Sequence, residues 1–213
     1  MEKSPQTVCL ERKESPLMKY ILASASPRRK EILSNLGLDF TVLVADADES
    51  CDLTDPGERV EFISLKKCLA ARDRLLAEGM DPADTETVII ASDTLVTLDG
   101  EFLGKPRDEA DAIRMMAMLQ GRTHTVASGI ALWHKGRTVT AHELTGVSFA
   151  SMTHAEIAAY VATGESFGKA GGYAIQGHAA RYITGIHGDY FNVVGLPVRR
   201  LYETMKLVFG ISL

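Results

Sequence analysis

The run Val88-Ile89-Ile90-Ala91 constrains this chain most. Four consecutive apolar residues leave no polar face for water, so a strand built from them needs cover on both sides. Such a strand belongs in the middle of a sheet, with further layers above and below it. A chain of 213 residues, 46% of them hydrophobic, can supply that core. Helical and strand-like segments interleave around the run without strict alternation, and long hairpin strands fall in the middle of the sequence. The pattern predicts an α/β or α+β chain with a mixed central sheet rather than a regular doubly wound fold, with room for two lobes flanking a cleft.

The local signals are specific enough to place elements. Residues 20–23 read as a short buried strand, and Pro27 suits the first turn of a helix that runs to Leu36 and stops at Gly37. Residues 40–44 form a second strand. Asp55-Pro56-Gly57-Glu58 then reads as an N-cap, a helix-compatible proline and a capping-box glutamate, opening a helix that ends before Gly79. After the central run, residues 95–98 and 101–103 pair across the tight turn Asp99-Gly100, with Asp93 between the two stretches. Asp108 caps a helix ending near Gly121. Residues 126–133 and 138–149 form a second hairpin around Lys135-Gly136, and Thr153 with Glu156 makes another capping box. Residues 198–208 close the chain as a helix. With no repeat or linker in view, residues 19–213 are expected to form one domain, preceded by a polar, proline-containing tail over residues 1–18.

Composition removes several classes of function. A net charge of -5 argues against a broad grip on nucleic acid, which needs an extended basic face. No apolar run approaches membrane-spanning length, and the mixed charges of the first residues suit neither a signal peptide nor an anchor. Cys9, Cys51 and Cys68 are odd in number and widely spaced, so neither a disulfide framework nor a cysteine zinc site is expected; a reducing, cytoplasmic setting fits. The six histidines show no metal-ligand spacing.

Chemistry concentrates in a few places. At Ser24-Ala25-Ser26-Pro27-Arg28-Arg29 a strand ends and a helix begins, so free backbone N–H groups and hydroxyls meet where anions bind. Arg28, Arg29 and Lys30 at a helix N-terminus are unfavourable for the macrodipole; either they face a negative partner or they are simply solvated. Asp93, beside a hydrophobic strand, can bind a metal or activate water, or it can close a turn. Gly104-Lys105-Pro106-Arg107-Asp108 puts two cations in a short loop. Gly168-Lys169-Ala170-Gly171-Gly172 lacks the glycine spacing and the hydroxyl residue of a P-loop, although its glycines permit close backbone approach. Gln176, just beyond, offers an amide that can pair with a base edge or serve a turn.

Taken together, Leu22-Ala23-Ser24-Ala25-Ser26-Pro27-Arg28-Arg29, Ser92-Asp93-Thr94, Gly104-Lys105-Pro106-Arg107-Asp108, Lys169-Ala170-Gly171 and Val194-Gly195-Leu196-Pro197 resemble the Maf family of nucleotide pyrophosphatases, in order and spacing, from Lys19 to the C-terminus. The resemblance implies an α/β fold with a mixed, elongated central sheet flanked by helices and two lobes around a cleft, related in architecture to inosine triphosphate pyrophosphatases and often a homodimer. It also implies Asp93 as proton acceptor, Ser24, Arg28, Arg29, Lys67 and Lys105 as phosphate-site residues, and Glu49 with Asp93 near a divalent cation, Mg2+ or Mn2+. The segment from Lys169 to Gly177 looks like the branch acting on dTTP and UTP, with Arg28, Thr94 and Gln176 at its specificity positions. A nucleotide-binding regulator of cell division and a pyrophosphatase for non-standard purine triphosphates remain the alternatives.

Overall fold

A computed structural model describes residues 18–213; the expected tail, apart from Met18, and Cys9 lie outside the described residues. The chain begins with β1 (Lys19–Leu22), α1 (Pro27–Asn35), β2 (Phe40–Val42) and the long helix α2 (Pro56–Ala77). It continues through β3 (Thr87–Leu98), β4 (Glu101–Leu103), α3 (Glu109–Leu119), β5 (Thr123–His134) and β6 (Arg137–Phe149). The last elements are α4 (His154–Ala162), β7 (Ile183–His187), α5 (Tyr190–Val194) and α6 (Val198–Thr204). A π-helical turn, Met205–Phe209, extends α6 toward the end predicted for it.

The capping signals act where the sequence puts them. Asp55 accepts from the Glu58 N–H at 2.8 Å, Asp108 from the Asp111 N–H at 2.8 Å, and Thr153 and Glu156 close a reciprocal box at the start of α4.

One seven-stranded mixed sheet organises the described residues, in the order β2-β1-β3-β5-β6-β7, with β4 also on β3. β1 lies parallel to β2 and β3, and every pairing from β3 onward through β5, β6 and β7 is antiparallel. The central run does sit mid-sheet with cover on both sides. Side chains of a strand alternate between faces. Ile89 and Ala91 therefore pack with Cys68 and Ala71 of α2, while Val88 and Ile90 pack with Ile32 and Leu33 of α1 and with Leu201 of α6. A separate core holds the far end of β3 with α3, α4, Phe149 and Tyr173.

One expectation needs correction. Asp93 does not separate two stretches: β3 runs unbroken for 12 residues through Ser92-Asp93-Thr94, because β5 pairs with it continuously from Val88 to Thr97. Pairing with a full-length neighbour satisfies the backbone whatever the side-chain polarity, so three polar residues do not end the strand. β7 and α5 were not anticipated either.

Among the described residues, no helix is long and apolar enough to cross a membrane.

His124 is a buried polar member of the distal core. Its Nε2 lies 2.7 Å from the Tyr173 hydroxyl, and burial pushes its pKa down to about 4 from 6.5. The folded protein thus binds this proton less readily than the unfolded chain, and the stability it confers above pH 6.5 is lost as the pH falls through 4. The loss by pH 4 is on the order of 3 kcal/mol. Thermal unfolding of wild type and His124→Phe across pH 7 to 4 should show a shallower decline in the variant; parallel curves would remove His124 from the acid response.

Candidate active site

Two strands share one edge of β3 without meeting. β1 pairs with Thr87 to Ile90 and β4 with Val96 to Leu98, so Ala91 to Leu95 face a gap between them. Because β1 is parallel to β3 and β4 antiparallel, both strands run toward the gap and end beside it, Leu22 opposite Ile90 and Leu103 opposite Val96. The turn after β1 carries Ser24, the first turn of α1 carries Arg28 and Arg29, and the loop after β4 carries Lys105. Two signals 80 positions apart in sequence are thereby delivered to either side of Asp93.

Asp93 points toward α2, on the face of β3 set by its odd-numbered residues. There the Lys67 ammonium lies 2.7 Å from Asp93 Oδ1 and 3.0 Å from Glu49 Oε1, joining two carboxylates through one cation. α2 can come this close because β5 has Gly129 opposite Asp93, and the α2 backbone at Val60 and Glu61 rests directly on it. Lys66, adjacent in sequence, turns instead to Asp48 at 3.2 Å and to the Ser50 carbonyl.

The opposite face of β3 is occupied differently. Arg29 is only 9% exposed and donates Nε to the Gly195 carbonyl at 2.8 Å, Nη1 to Ser24 Oγ at 3.0 Å and Nη2 to Thr94 Oγ1 at 2.9 Å. Thr94 Oγ1 also lies 2.8 Å from Ser128 Oγ, and Ser92 Oγ donates to the Gly195 carbonyl at 3.1 Å. Burial lowers the Arg29 pKa to about 10, with Asp93 and Glu49 opposing that shift and Arg28 adding to it, so it stays charged at neutral pH. Of the three cations that open α1, Arg29 thus ties the turn, β3 and the Val194-Gly195-Leu196-Pro197 segment together. Arg28, half-buried and also lowered by burial, lies outside that arrangement.

The glycine-rich segment closes another side. The Gly171 N–H donates to the Gly104 carbonyl at 3.0 Å, and a Cβ at Gly171 would lie 2.9 Å from Val96 Cγ2. Close backbone approach, which the sequence signalled, is made to β3 and to the Lys105 loop. Lys169 enters here without having been singled out as a site residue. Its Nζ donates to the Glu165 carbonyl at 2.6 Å, and its pKa is lowered by burial first and by the Arg28 charge second, against Glu165. Lys105 and Gln176 are exposed.

No three His, Cys, Asp or Glu residues among those described form a group able to hold a metal ion on their own. Mg2+, however, is ordinarily held by one or two carboxylates completed by water and phosphate oxygens. Asp93 and Glu49, brought together on one ammonium, fit that donor set.

Fold and site define an α/β protein in which two basic segments begin at an interrupted sheet edge beside a strand carboxylate. The chain belongs to the Maf family, whose model, described as Maf-like protein, matches residues 19–208. It is 45% identical over 199 residues to a dTTP/UTP pyrophosphatase of Moorella thermoacetica, covering 92% of this chain and 97% of that one. It is 41% identical to a dTTP/UTP pyrophosphatase of Bacillus cytotoxicus, with 89% and 95% covered. Among solved structures, the Staphylococcus aureus Ham1 protein aligns with a TM-score of 0.44 at 16% identity, over 62% of this chain and 72% of that one.

Proposed function

We infer that this chain is a nucleoside-triphosphate pyrophosphatase acting on dTTP and UTP, releasing the monophosphate and pyrophosphate. The observation that carries the reading is that β1 and β4 both end at the gap beside Asp93, so that the basic segments following them, with Arg28 and Lys105, begin there. Full-length likeness to proteins named for that activity supports it.

In this reading Arg28 and Lys105 neutralise the polyphosphate from opposite sides of the gap. Asp93 accepts a proton from a water placed in line with the α phosphorus, the bond to the β phosphate breaks, and pyrophosphate leaves with its charge balanced by the same cations. Lys67 fixes the orientation of Asp93 and Glu49. Asp93 and Glu49 would hold a Mg2+ or Mn2+ ion, whose chemistry when bound is to polarise phosphate oxygens and acidify water. Ser24 and Arg29 shape the phosphate turn, Arg29 acting through its bonds to Ser24 and Thr94. Gln176 offers one donor and one acceptor to the O4 and N3–H edge of thymine or uracil.

Catalysis is assigned to residues 19–213, in a cytoplasmic homodimer. Free Cys51 and Cys68 support a reducing compartment. Exposed Leu144, Tyr190 and Phe191, where α5 meets β6, offer an apolar surface for a second copy.

Pyrophosphate release should be measured from dTTP, UTP, CTP, GTP, ATP, ITP and 7-methyl-GTP with Mg2+ or Mn2+. Fastest release from dTTP and UTP is expected. Preference for ITP or 7-methyl-GTP would overturn the substrate, and binding without release from any nucleotide would make the protein a nucleotide-responsive regulator.

A further inference from the structure

Glu165 precedes the glycine-rich segment and holds it at both ends. Its backbone carbonyl accepts from Lys169 Nζ at 2.6 Å. Its carboxylate accepts from the His178 N–H at 2.6 Å and the Ala179 N–H at 3.2 Å, thirteen and fourteen residues onward. These are the first N–H groups of the 3-10 turn His178–Tyr182, which no residue of its own caps. The Tyr160 hydroxyl, 3.1 Å from Glu165 Oε1 and 3.2 Å from the Gly172 carbonyl, joins the carboxylate to the middle of the segment. Gly177 completes the arrangement, because a Cβ there would collide with Glu165 Oε2. Between the two anchored ends, residues 171–174 are buried, and Gln176, just before the second anchor, returns to the surface.

We propose that Glu165 is a positioning residue for base selection: its carboxylate closes the segment 165–178 into a clasp that fixes Gln176 relative to Lys169 and Arg28. The proposal rests on the reading of Gln176 as the base-contacting residue. A glutamine amide on an unanchored loop can turn over or withdraw, and pays ordering entropy on each binding event; one anchored two residues away presents its donor and acceptor in a set direction. Glu165 itself touches no substrate. Its carboxylate is ideal for the task because two N–H donors and a hydroxyl all require acceptors, and a carboxylate has no donor to misplace.

Glu165→Gln keeps the volume but sets an NH2 group against a backbone N–H. Gly177→Ala disturbs the same contact from the other side, displacing the carboxylate without altering its chemistry. Both variants should lose at least about tenfold in the ratio of dTMP to GMP affinity by calorimetry, with amide exchange rising in residues 169–179 and elsewhere unchanged. Against dTTP, KM should rise while kcat falls much less, since Asp93 and Lys67 lie on other elements. Tyr160→Phe, which spares both N–H bonds, should shift the ratio least. An unchanged dTMP to GMP ratio in both variants, whether or not the melting temperature falls, would overturn the proposal and leave Glu165 a structural cap. Absence of pyrophosphate release by wild type would overturn the enzymatic reading instead, because the affinity ratio and amide exchange judge the clasp without turnover.

Discussion

Asp93→Asn should lower kcat for pyrophosphate release by about 1,000-fold, the loss expected when a positioned general base is removed. An amide of the same shape can still offer an oxygen to the Lys67 ammonium, which now lies 2.7 Å from Asp93 Oδ1, so the fold should tolerate the change. What the amide cannot do is take a proton from water. Removing one negative charge from beside Lys67 and Arg29 also leaves the cleft more cationic, so triphosphate affinity should hold or tighten. That combination, binding kept and turnover gone, separates loss of chemistry from loss of the site. A rate within about threefold of wild type would take Asp93 out of the reaction. Collapse of affinity together with rate would mean that Asp93 serves to hold the site together, through the metal or through its ion pair with Lys67, rather than to take the proton.

The second large effect is expected at Gly129, which bears no chemistry. A Cβ there would lie 2.5 Å from the Val60 carbonyl carbon and 2.8 Å from Glu61 N, backbone atoms of α2 that cannot rotate aside. Overpacking against backbone falls at the upper end of its usual range, about 3 kcal/mol. For a chain of this size that is a fall in melting temperature of about 10 °C. Relief requires α2 to move off the sheet, and α2 carries Lys67. Gly129→Ala should therefore lose activity even at temperatures where it is fully folded, as Lys67 withdraws from Asp93 and Glu49. Gly185→Ala is the control, since a Cβ at that strand position meets nothing within 4 Å. Equal melting temperatures for the two variants would show that α2 yields without strain.

Both predictions depend on the same construction, a sheet whose middle strand is left open for five residues. The open edge is what admits a ligand to a strand that is otherwise buried. It is also why the site is held by contacts distant in sequence: Arg29 reaches Gly195 across 166 positions and Lys67 reaches Asp93 across 26.

Much of this was determined by the sequence alone. The apolar run 88–91 fixed a covered central strand, because burial on both faces is a property of the residues themselves. The caps at Asp55, Asp108 and Thr153 marked helix starts, since each contact spans only three residues and needs no partner from afar. Ser24 to Arg29, Asp93, Lys105 and the glycine-rich segment were all legible as chemistry, and their joint order identified the family. Tertiary structure decided how those pieces divide the work. Three basic residues at one helix start look alike in sequence, yet Arg29 is turned inward onto three acceptors supplied by separate elements. The unbroken course of β3 through its polar residues depended on β5, whose partners for Ser92, Asp93 and Thr94 all lie more than 30 positions away. Glu165 gave no signal at all, because an acidic residue in a loop reads as solvated until the N–H groups it caps are folded against it. Local patterns declare what a residue prefers, and only the folded chain settles which distant group satisfies it.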